Sequence, residues 1–482
     1  MHREKTQFDC PAGTVAVDTE TPETLSDTTN NYQEEKEQMK NAMKKYLALA
    51  LVLVMALSLV ACGGAAAPEA PEAPKADAPA AEAPKAEAPK AEAPAEKVTI
   101  KFQQWWGVEL PEGYLQNIAD NFEAETGIKV ELISAPWSDT KTAITAGATN
   151  GTIADIISVD GAWLAEFADM GLLADLEAAG LNTALAGDVW SVNGVKHVVP
   201  VNNFTYPMYV NMDILNASGV EAIPTNWSEL IAACQKIADA GYSAFALNLG
   251  VTNANGIQNV FMHTGWASGI TLKNAEGKFD VAGNADLKAL AELYKTLYDN
   301  GCLYAGMATL EEAEMTSNFA AGNCAFTVAS AATMGEFSNL NFETALIPVK
   351  DGYAGQSGIC YASWAAGISE SSAHKAEAAQ FLNYLLGGMD GADGSISAGL
   401  ASTQTAFPNS KIANPDYSAT PAQFQSFYEL YKSNYVINEF VGLPNASAVM
   451  TDMTNDLVLY LEGDLDVDTL LNNWQEYLDN AG

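Results

Sequence analysis

Between Val98 and Gly171 short apolar strands alternate with amphipathic helices, and this order constrains the fold more than any other feature of the chain. Val98 to Phe102 alternates as a half-buried strand does. Leu115, Ile118 and Phe122 share one face of a helix predicted over 112–125, and Gly127 suits the left-handed residue that closes it. Lys129 to Ile133 reads as a second strand and 138–148 as a second helix. Ile153 to Val159 is nearly all apolar, as expected of a parallel strand covered on both faces, and a third helix runs from Trp163 to Met170. Such a βαβαβα order implies an α/β domain with right-handed crossovers. Ligands of these sheets bind beyond the carboxyl ends of the strands. Those ends carry Trp105 and Trp106, then Trp137, then Asp160, so rings and a carboxylate converge on one edge.

Upstream lies a different kind of segment. Lys44 and Lys45 precede an apolar run from Leu47 to Ala61, short of the roughly 20 residues that a membrane-spanning helix needs. The run ends in Leu59-Val-Ala-Cys62, which resembles the lipobox of bacterial lipoproteins. The resemblance implies a signal peptide over 43–61, cleavage before Cys62 and acylation of its thiol, a membrane anchor once two or more chains are attached. The polar, acidic stretch 1–42 does not fit ahead of a signal. It is expected to be an extension outside the fold, with translation starting at Met39 or Met43. Residues 62–97 are almost all Ala, Pro, Glu and Lys. They offer no large apolar side chain to offset the entropy of ordering, and proline keeps such a tether extended.

What remains, Val98 to Gly482, is 385 residues (482 − 97), too long for one ordinary core and suggestive of two domains. After Ala61 the chain holds 17 basic (23 − 6) and 51 acidic (60 − 9) residues, a net charge of −34. Nucleic acid and anionic lipid surfaces are poor partners for such a chain. No arginine follows Arg3, which disfavours phosphate and carboxylate ligands held by a guanidinium fork. Cys234, Cys302, Cys324 and Cys360 match no zinc spacing and read as buried thiols. If one bridge forms, Cys302–Cys324 is the expected pair. Asp464-Leu-Asp-Val-Asp468 begins like a calcium loop but lacks its glycine and closing glutamate, so it is expected to cap the last helix. Neither a metal nor a cofactor is expected.

Several strings occur in an order that is similar to family 1 extracellular solute-binding proteins, the maltose-binding-protein-like group. Phe122-Glu-Ala-Glu-Thr-Gly-Ile-Lys-Val130 resembles the family's "FExxTGIxV" stretch, and Pro224-Thr-Asn-Trp-Ser-Glu-Leu230 its "PxTWdEL". Val192 to Pro200, Tyr206 to Asp213, Phe319 to Phe326 and Ala366 to Ser369 resemble further family segments, with Val210 standing where a Tyr is usual. The resemblance spans 98–482. It implies a two-lobed, type II periplasmic-binding-protein-like α/β fold that closes on ligand about hinge strands. By it, lobe 1 is expected over 98–203 and 324–370, lobe 2 over 204–323 and 371–482, with hinges near Val201–Asn203 and Gly322–Ala325. It further implies a lipid-anchored, monomeric receptor that hands a sugar to the permease of an ABC importer and performs no chemistry.

Sugars present an apolar ring face and a rim of hydroxyls, met in proteins by aromatic plates and by Asp, Asn, Gln or Tyr at the edges. Trp105, Trp106 and Trp137 are the candidate plates of lobe 1, and Trp266 that of lobe 2. Asp160 is the candidate acceptor, with a helix N-cap as its rival role. Asn202, Asn203 and Tyr206 are expected at the hinge mouth, and Tyr361 and Trp364 on the strand the family uses near its cleft. Trp163, Trp190, Trp227 and Trp474 are read as structural. Other solutes, a polyol or a polyamine, remain open on the same residues, as does a sensory partner. An extracellular glycosidase would also combine rings with carboxylates.

Overall fold

The computed structural model describes residues 97–355, 357–358, 361–388, 391–420, 422, 424 and 438–481. The extension, signal, Cys62, the tether up to residue 96, Cys360 and the Tyr361 side chain lie outside the described residues.

The first sheet contains β1 (Thr99–Gln104), β2 (Lys129–Ser134), β3 (Ile156–Ser158), β4 (Trp190–Val192) and β5 (Val195–Thr205); the chain then passes to β6 (Met208–Asn211), β7 (Ser243–Ala246), β8 (Cys324–Val328) and β9 (Phe342–Ala345) of a second sheet. It returns to the first with β10 (Tyr361–Ile368) and β11 (Phe407–Pro408). The strand order is β11-β5-β10-β3-β1-β2, with β4 beside β5, in one sheet and β7-β8-β6-β9 in the other. β1 pairs in parallel with β2 and β3, as the alternation of elements requires, and β10 runs antiparallel between β3 and β5. The type II periplasmic-binding-protein fold follows: two α/β lobes on two sheets.

Helix α1 (Tyr114–Thr126) turns Leu115, Ile118 and Phe122 to the core and stops at Gly127, whose φ of 77° is the left-handed cap expected there. Helix α2 is Trp137–Asn150; α3 is Trp227–Asp239, capped by the Asn226 side chain on Glu229 N–H; α4 is Ala285–Asp299. Helices α5 (Lys375–Gly387) and α6 (Ser395–Thr403) pack beside the first sheet: the Phe381 ring lies 6.0 Å from Phe102 and 5.1 Å from Phe122. Helices α7 (Ala446–Glu462) and α8 (Val467–Asp479) pack on each other and on α4 in the second lobe, with Asp466 capping α8 as expected.

The lobe boundaries need two corrections. β8 and β9 hydrogen-bond to β6 and β7, so 324–345 belongs to lobe 2. α5 and α6 belong to lobe 1, because Phe381 completes the Phe102–Phe122 cluster. The chain first crosses between the two sheets at Tyr206-Pro207, between β5 and β6. Gly322–Ala325 is no hinge: it turns the helix Glu312–Ala320 into β8 within one lobe. The Cys302–Cys324 bridge is also absent, since Cys234, Cys302 and Cys324 are buried free thiols. Burial pushes the Cys324 thiol up to about 12, which keeps it protonated and unreactive.

Candidate ligand-binding site

A cavity of about 180 Å³ opens between the lobes, beyond the carboxyl ends of β1–β3. Its lobe 1 wall is aromatic. Trp137 opens α2, and its ring stacks on Trp163 at 5.8 Å and 20°. Trp105 meets Trp163 edge-on at 5.8 Å from behind. Asp160 ties this wall together: Oδ1 accepts the Ala162 N–H at 2.9 Å and caps the turn Gly161–Trp163, while Oδ2 accepts the Trp137 indole N–H at 3.1 Å. Asp160 therefore caps this turn and lines the cavity at once. Lys141 completes the wall, its ammonium 2.7 Å from Glu166 and donating to Ser447 of lobe 2 at 3.1 Å.

The lobe 2 wall is amide-rich. The loop after β7 supplies Asn253 and Asn255, and a π-helical stretch, Ile257–Met262, supplies Gln258. Such π turns recur at functional sites. Between the two asparagines, buried Ala254 has a φ of 48°, a conformation costly for a residue with a Cβ and typical of binding loops under constraint. Gly256 is required: a Cβ there would lie 1.6 Å from the Asn248 carbonyl oxygen. Asn248 donates to Asn255 Oδ1 at 3.0 Å, and Asn255 donates to Glu312 Oε2, so the amide row ends on a carboxylate.

Of three acids with raised pKa values, Asp160 lines the cavity, Glu312 accepts from its lining residue Asn255, and Glu109 accepts from Trp364. Glu109 is exposed and Glu312 half-buried, and neither lines the cavity itself. Desolvation lifts Glu109 to about 7, against the Trp364 indole N–H that donates to it at 2.6 Å, and repulsion from Glu312 adds to the rise. Desolvation also lifts Glu312 to about 7, opposed by Asn255 and reinforced by Asp160. Asp160 itself is raised by burial, which outweighs its hydrogen bonds to Ala162 and Trp137 and the nearby Lys141.

A stability prediction follows from the sign of these shifts. The folded state binds more protons than the unfolded chain between pH 4.5 and about 7, so stability must fall as pH rises through that window. Glu312→Gln is expected to flatten this fall by about 1–2 kcal/mol, the remainder of its shift being screened by water. Melting curves from pH 5 to 8 check it; an unchanged slope in the variant would remove Glu312 as a cause.

The other expected site residues lie elsewhere. Trp106 is fully buried, stacked on Trp364 at 5.6 Å and 11°, so neither offers a ring face to a ligand; the pair supports Glu109 from below. Trp105 is likewise a second layer. Trp266 is buried in lobe 2, its indole N–H donating to Glu439 at 2.7 Å and its ring against Phe440. Trp266 thus offers no ring face to the cavity. Asn202 and Asn203 are buried within the first sheet, where Asn203 Oδ1 accepts from the Ser363 hydroxyl at 2.6 Å. Tyr206 sits at the crossing between β5 and β6 and accepts from Asn259 at 3.3 Å. Tyr361 pairs with Thr205 in the sheet. Trp163, read as structural, lines the cavity instead. Its position three residues beyond Asp160 at a strand end was the available signal. A wider depression of about 410 Å³ beside Val220–Thr225 and α3 contains no aromatic ring and lies apart from these groups. Among the described residues no helix is long and apolar enough to cross a membrane.

Comparison with known proteins fits this geometry. The model of the bacterial extracellular solute-binding protein family matches residues 107–387. A candidate binding protein of Brucella abortus is 25% identical over 287 residues, 56% of this chain and 68% of that one. Two solved structures share the fold. The cyclic α-maltosyl-1,6-maltose binding protein from Arthrobacter globiformis has a TM-score of 0.61 at 20% identity, covering 80% of this chain and 98% of its own. Maltose-bound MalE3 of T. maritima has a TM-score of 0.64 at 21% identity, covering 79% and 99%. Fold and cleft define a two-lobed binding protein. The chain belongs to the bacterial extracellular solute-binding protein family.

Proposed function

We propose that this protein captures a saccharide in the interlobe cleft and delivers it to the permease of an ABC importer, without chemistry. The observation that carries the reading is the stacked Trp137–Trp163 wall with Asp160 hydrogen-bonded to its edge, facing Asn253, Asn255 and Gln258 across the cavity. A pyranose ring presents a face to such a wall and hydroxyls to such a rim. The fold relatives named for maltose and for a cyclic maltosyl maltose support a sugar as cargo. Ligand favours the closed state because only that state contacts it from both lobes.

A thermal-shift screen of the mature protein against mono- and oligosaccharides and polyols tests the reading. Ligand at 100 times its Kd stabilises by about 2.7 kcal/mol, a clear rise in Tm. A rise with one saccharide class is the expected result, and a rise with polyols alone would overturn the sugar. We further propose that acylated Cys62 anchors a monomeric receptor on the outer face of the cell membrane, with residues 63–97 as spacer. Cys62→Ser is expected to move the protein to the soluble fraction; retention on membranes would count against the anchor.

A further inference from the structure

We infer, on the saccharide reading above, that Asn438 is a positioning residue for the ligand: it turns the Gln258 amide so that the NH2 faces the cargo and the carbonyl faces protein. Asn438 does not line the cavity, whereas Gln258 does. The Phe440 backbone N–H donates to Asn438 Oδ1 at 3.0 Å. A backbone N–H can only donate, so that end of the Asn438 amide is its oxygen. The other end, Nδ2, donates to Gln258 at 2.9 Å, so the receiving atom is Oε1. Gln258 Nε2 makes no hydrogen bond among the described residues and is the end left for the cavity. Asn438 is itself anchored. It is buried, and its neighbour Glu439 accepts from the Trp266 indole and from the Leu272 and Lys273 N–H groups. Reversing its amide would set NH2 against the Phe440 N–H; reversing Gln258 alone would set two NH2 groups against each other. Either reversal leaves buried donors unpaired, which costs more than a made hydrogen bond returns.

The fixed amide gives the two walls opposite hydrogen-bond polarity. Asn255, on the same wall, has its Oδ1 taken by the Asn248 amide at 3.0 Å, so both of these lining amides spend their carbonyl oxygens inside lobe 2. Across the cavity both Asp160 oxygens act as acceptors. A saccharide hydroxyl has one proton and two lone pairs. Hydroxyls that donate that proton to Asp160 have only lone pairs for lobe 2, and the Gln258 NH2 meets them. With the Gln258 oxygen in its place, acceptors would stand on both walls and the ligand's protons would have to be divided between them.

Asn438→Asp tests this without altering a residue that lines the cavity. The new carboxylate still accepts the Phe440 N–H but can only accept from Gln258, so the Gln258 amide must reverse. Gln258→Glu alters the cavity face directly: one oxygen still accepts from Asn438, and the other replaces the NH2. Two quantities are read on the mature protein and both variants. One is the rate at which side-chain NH2 protons exchange with water, by NMR, with the Gln258 signal assigned through its loss in Gln258→Glu. The other is calorimetric affinity for maltotriose, tri-N-acetylchitotriose and xylotriose. In the wild type the Gln258 NH2 is expected to exchange faster than that of Asn438, and Asn438→Asp is expected to slow it about 10-fold, the worth of one hydrogen bond. Affinity for the trisaccharide that binds tightest is expected to fall about 10-fold in both variants. A merely structural Asn438 would lower Tm and leave the affinity of folded molecules unchanged. Unchanged Gln258 exchange or wild-type affinity in Asn438→Asp overturns the inference. If that variant does not fold, the wild-type rates decide: a Gln258 NH2 as protected as that of Asn438 overturns it. If none of the three sugars binds, the saccharide reading falls, and the exchange rates still decide whether Asn438 turns Gln258.

Discussion

Asp160→Asn is expected to weaken ligand binding roughly 10- to 100-fold while the free protein still folds. The argument turns on what the substitution keeps. An asparagine Oδ1 can still accept the Ala162 N–H that Asp160 accepts at 2.9 Å, so the cap of the Gly161–Trp163 turn survives. The second oxygen, however, becomes an NH2 facing the Trp137 indole N–H, which Asp160 Oδ2 accepts at 3.1 Å. Two donors then meet, and the ring loses the bond that holds it against Trp163. Burial already disfavours the charged form of Asp160 in the free protein, so removing the charge relieves a cost as well as breaking a contact. Fold stability should therefore change little. Affinity should not be spared, because a charge-assisted hydrogen bond to ligand is worth about 1.5–3 kcal/mol. Calorimetry against the saccharide found by thermal shift decides the matter. Wild-type affinity in Asp160→Asn would take this residue out of the site.

The lobe 1 wall of the cavity was legible because it obeys a rule of parallel sheets. Strands predicted at Val98, Lys129 and Ile153 end where Trp105, Trp137 and Asp160 stand, and ligands bind at such ends. The rule could not say which ring faces outward. Trp105, Trp106 and Trp163 are all buried, and of the three it is Trp163 that stacks on Trp137 and lines the cavity. Lobe 2 was less legible. Its wall hangs on a loop whose working parts are a strained Ala254, a Gly256 pressed against a carbonyl and a π-helical turn, none of which leaves a periodic signature. The same rule applied to β7, which pairs in parallel with β8, would have pointed to Asn253 and Asn255. The misassigned helices failed for another reason. An amphipathic pattern says that α5 covers a sheet, not which of two sheets, and the answer lies in Phe381 meeting Phe102 and Phe122 from far along the chain.

Trp266 separates site from scaffold most sharply. Trp266→Ala is expected to destabilise the fold by about 3–5 kcal/mol, as large-to-small changes at buried aromatics do. The indole fills space against Phe440, and its N–H is one of three donors on Glu439, beside Leu272 N–H at 2.8 Å and Lys273 N–H at 3.0 Å. Truncation opens a cavity and leaves that carboxylate one donor short. Trp266→Phe retains most of the ring and loses only the donor, so its cost should fall to about 1–3 kcal/mol. Neither variant should alter the affinity of the molecules that remain folded, because every identified contact of this ring lies within lobe 2, away from the cavity. Trp163→Ala should do the reverse in emphasis: it removes the ring on which Trp137 rests, so affinity must fall even at temperatures where the protein is fully folded. Denaturation midpoints and calorimetric affinities measured on the three variants together discriminate the roles. If Trp266→Phe left stability unchanged but weakened binding, the ring would have to face ligand, and the lobe 2 wall would need to be rebuilt around it rather than around Asn255 and Gln258.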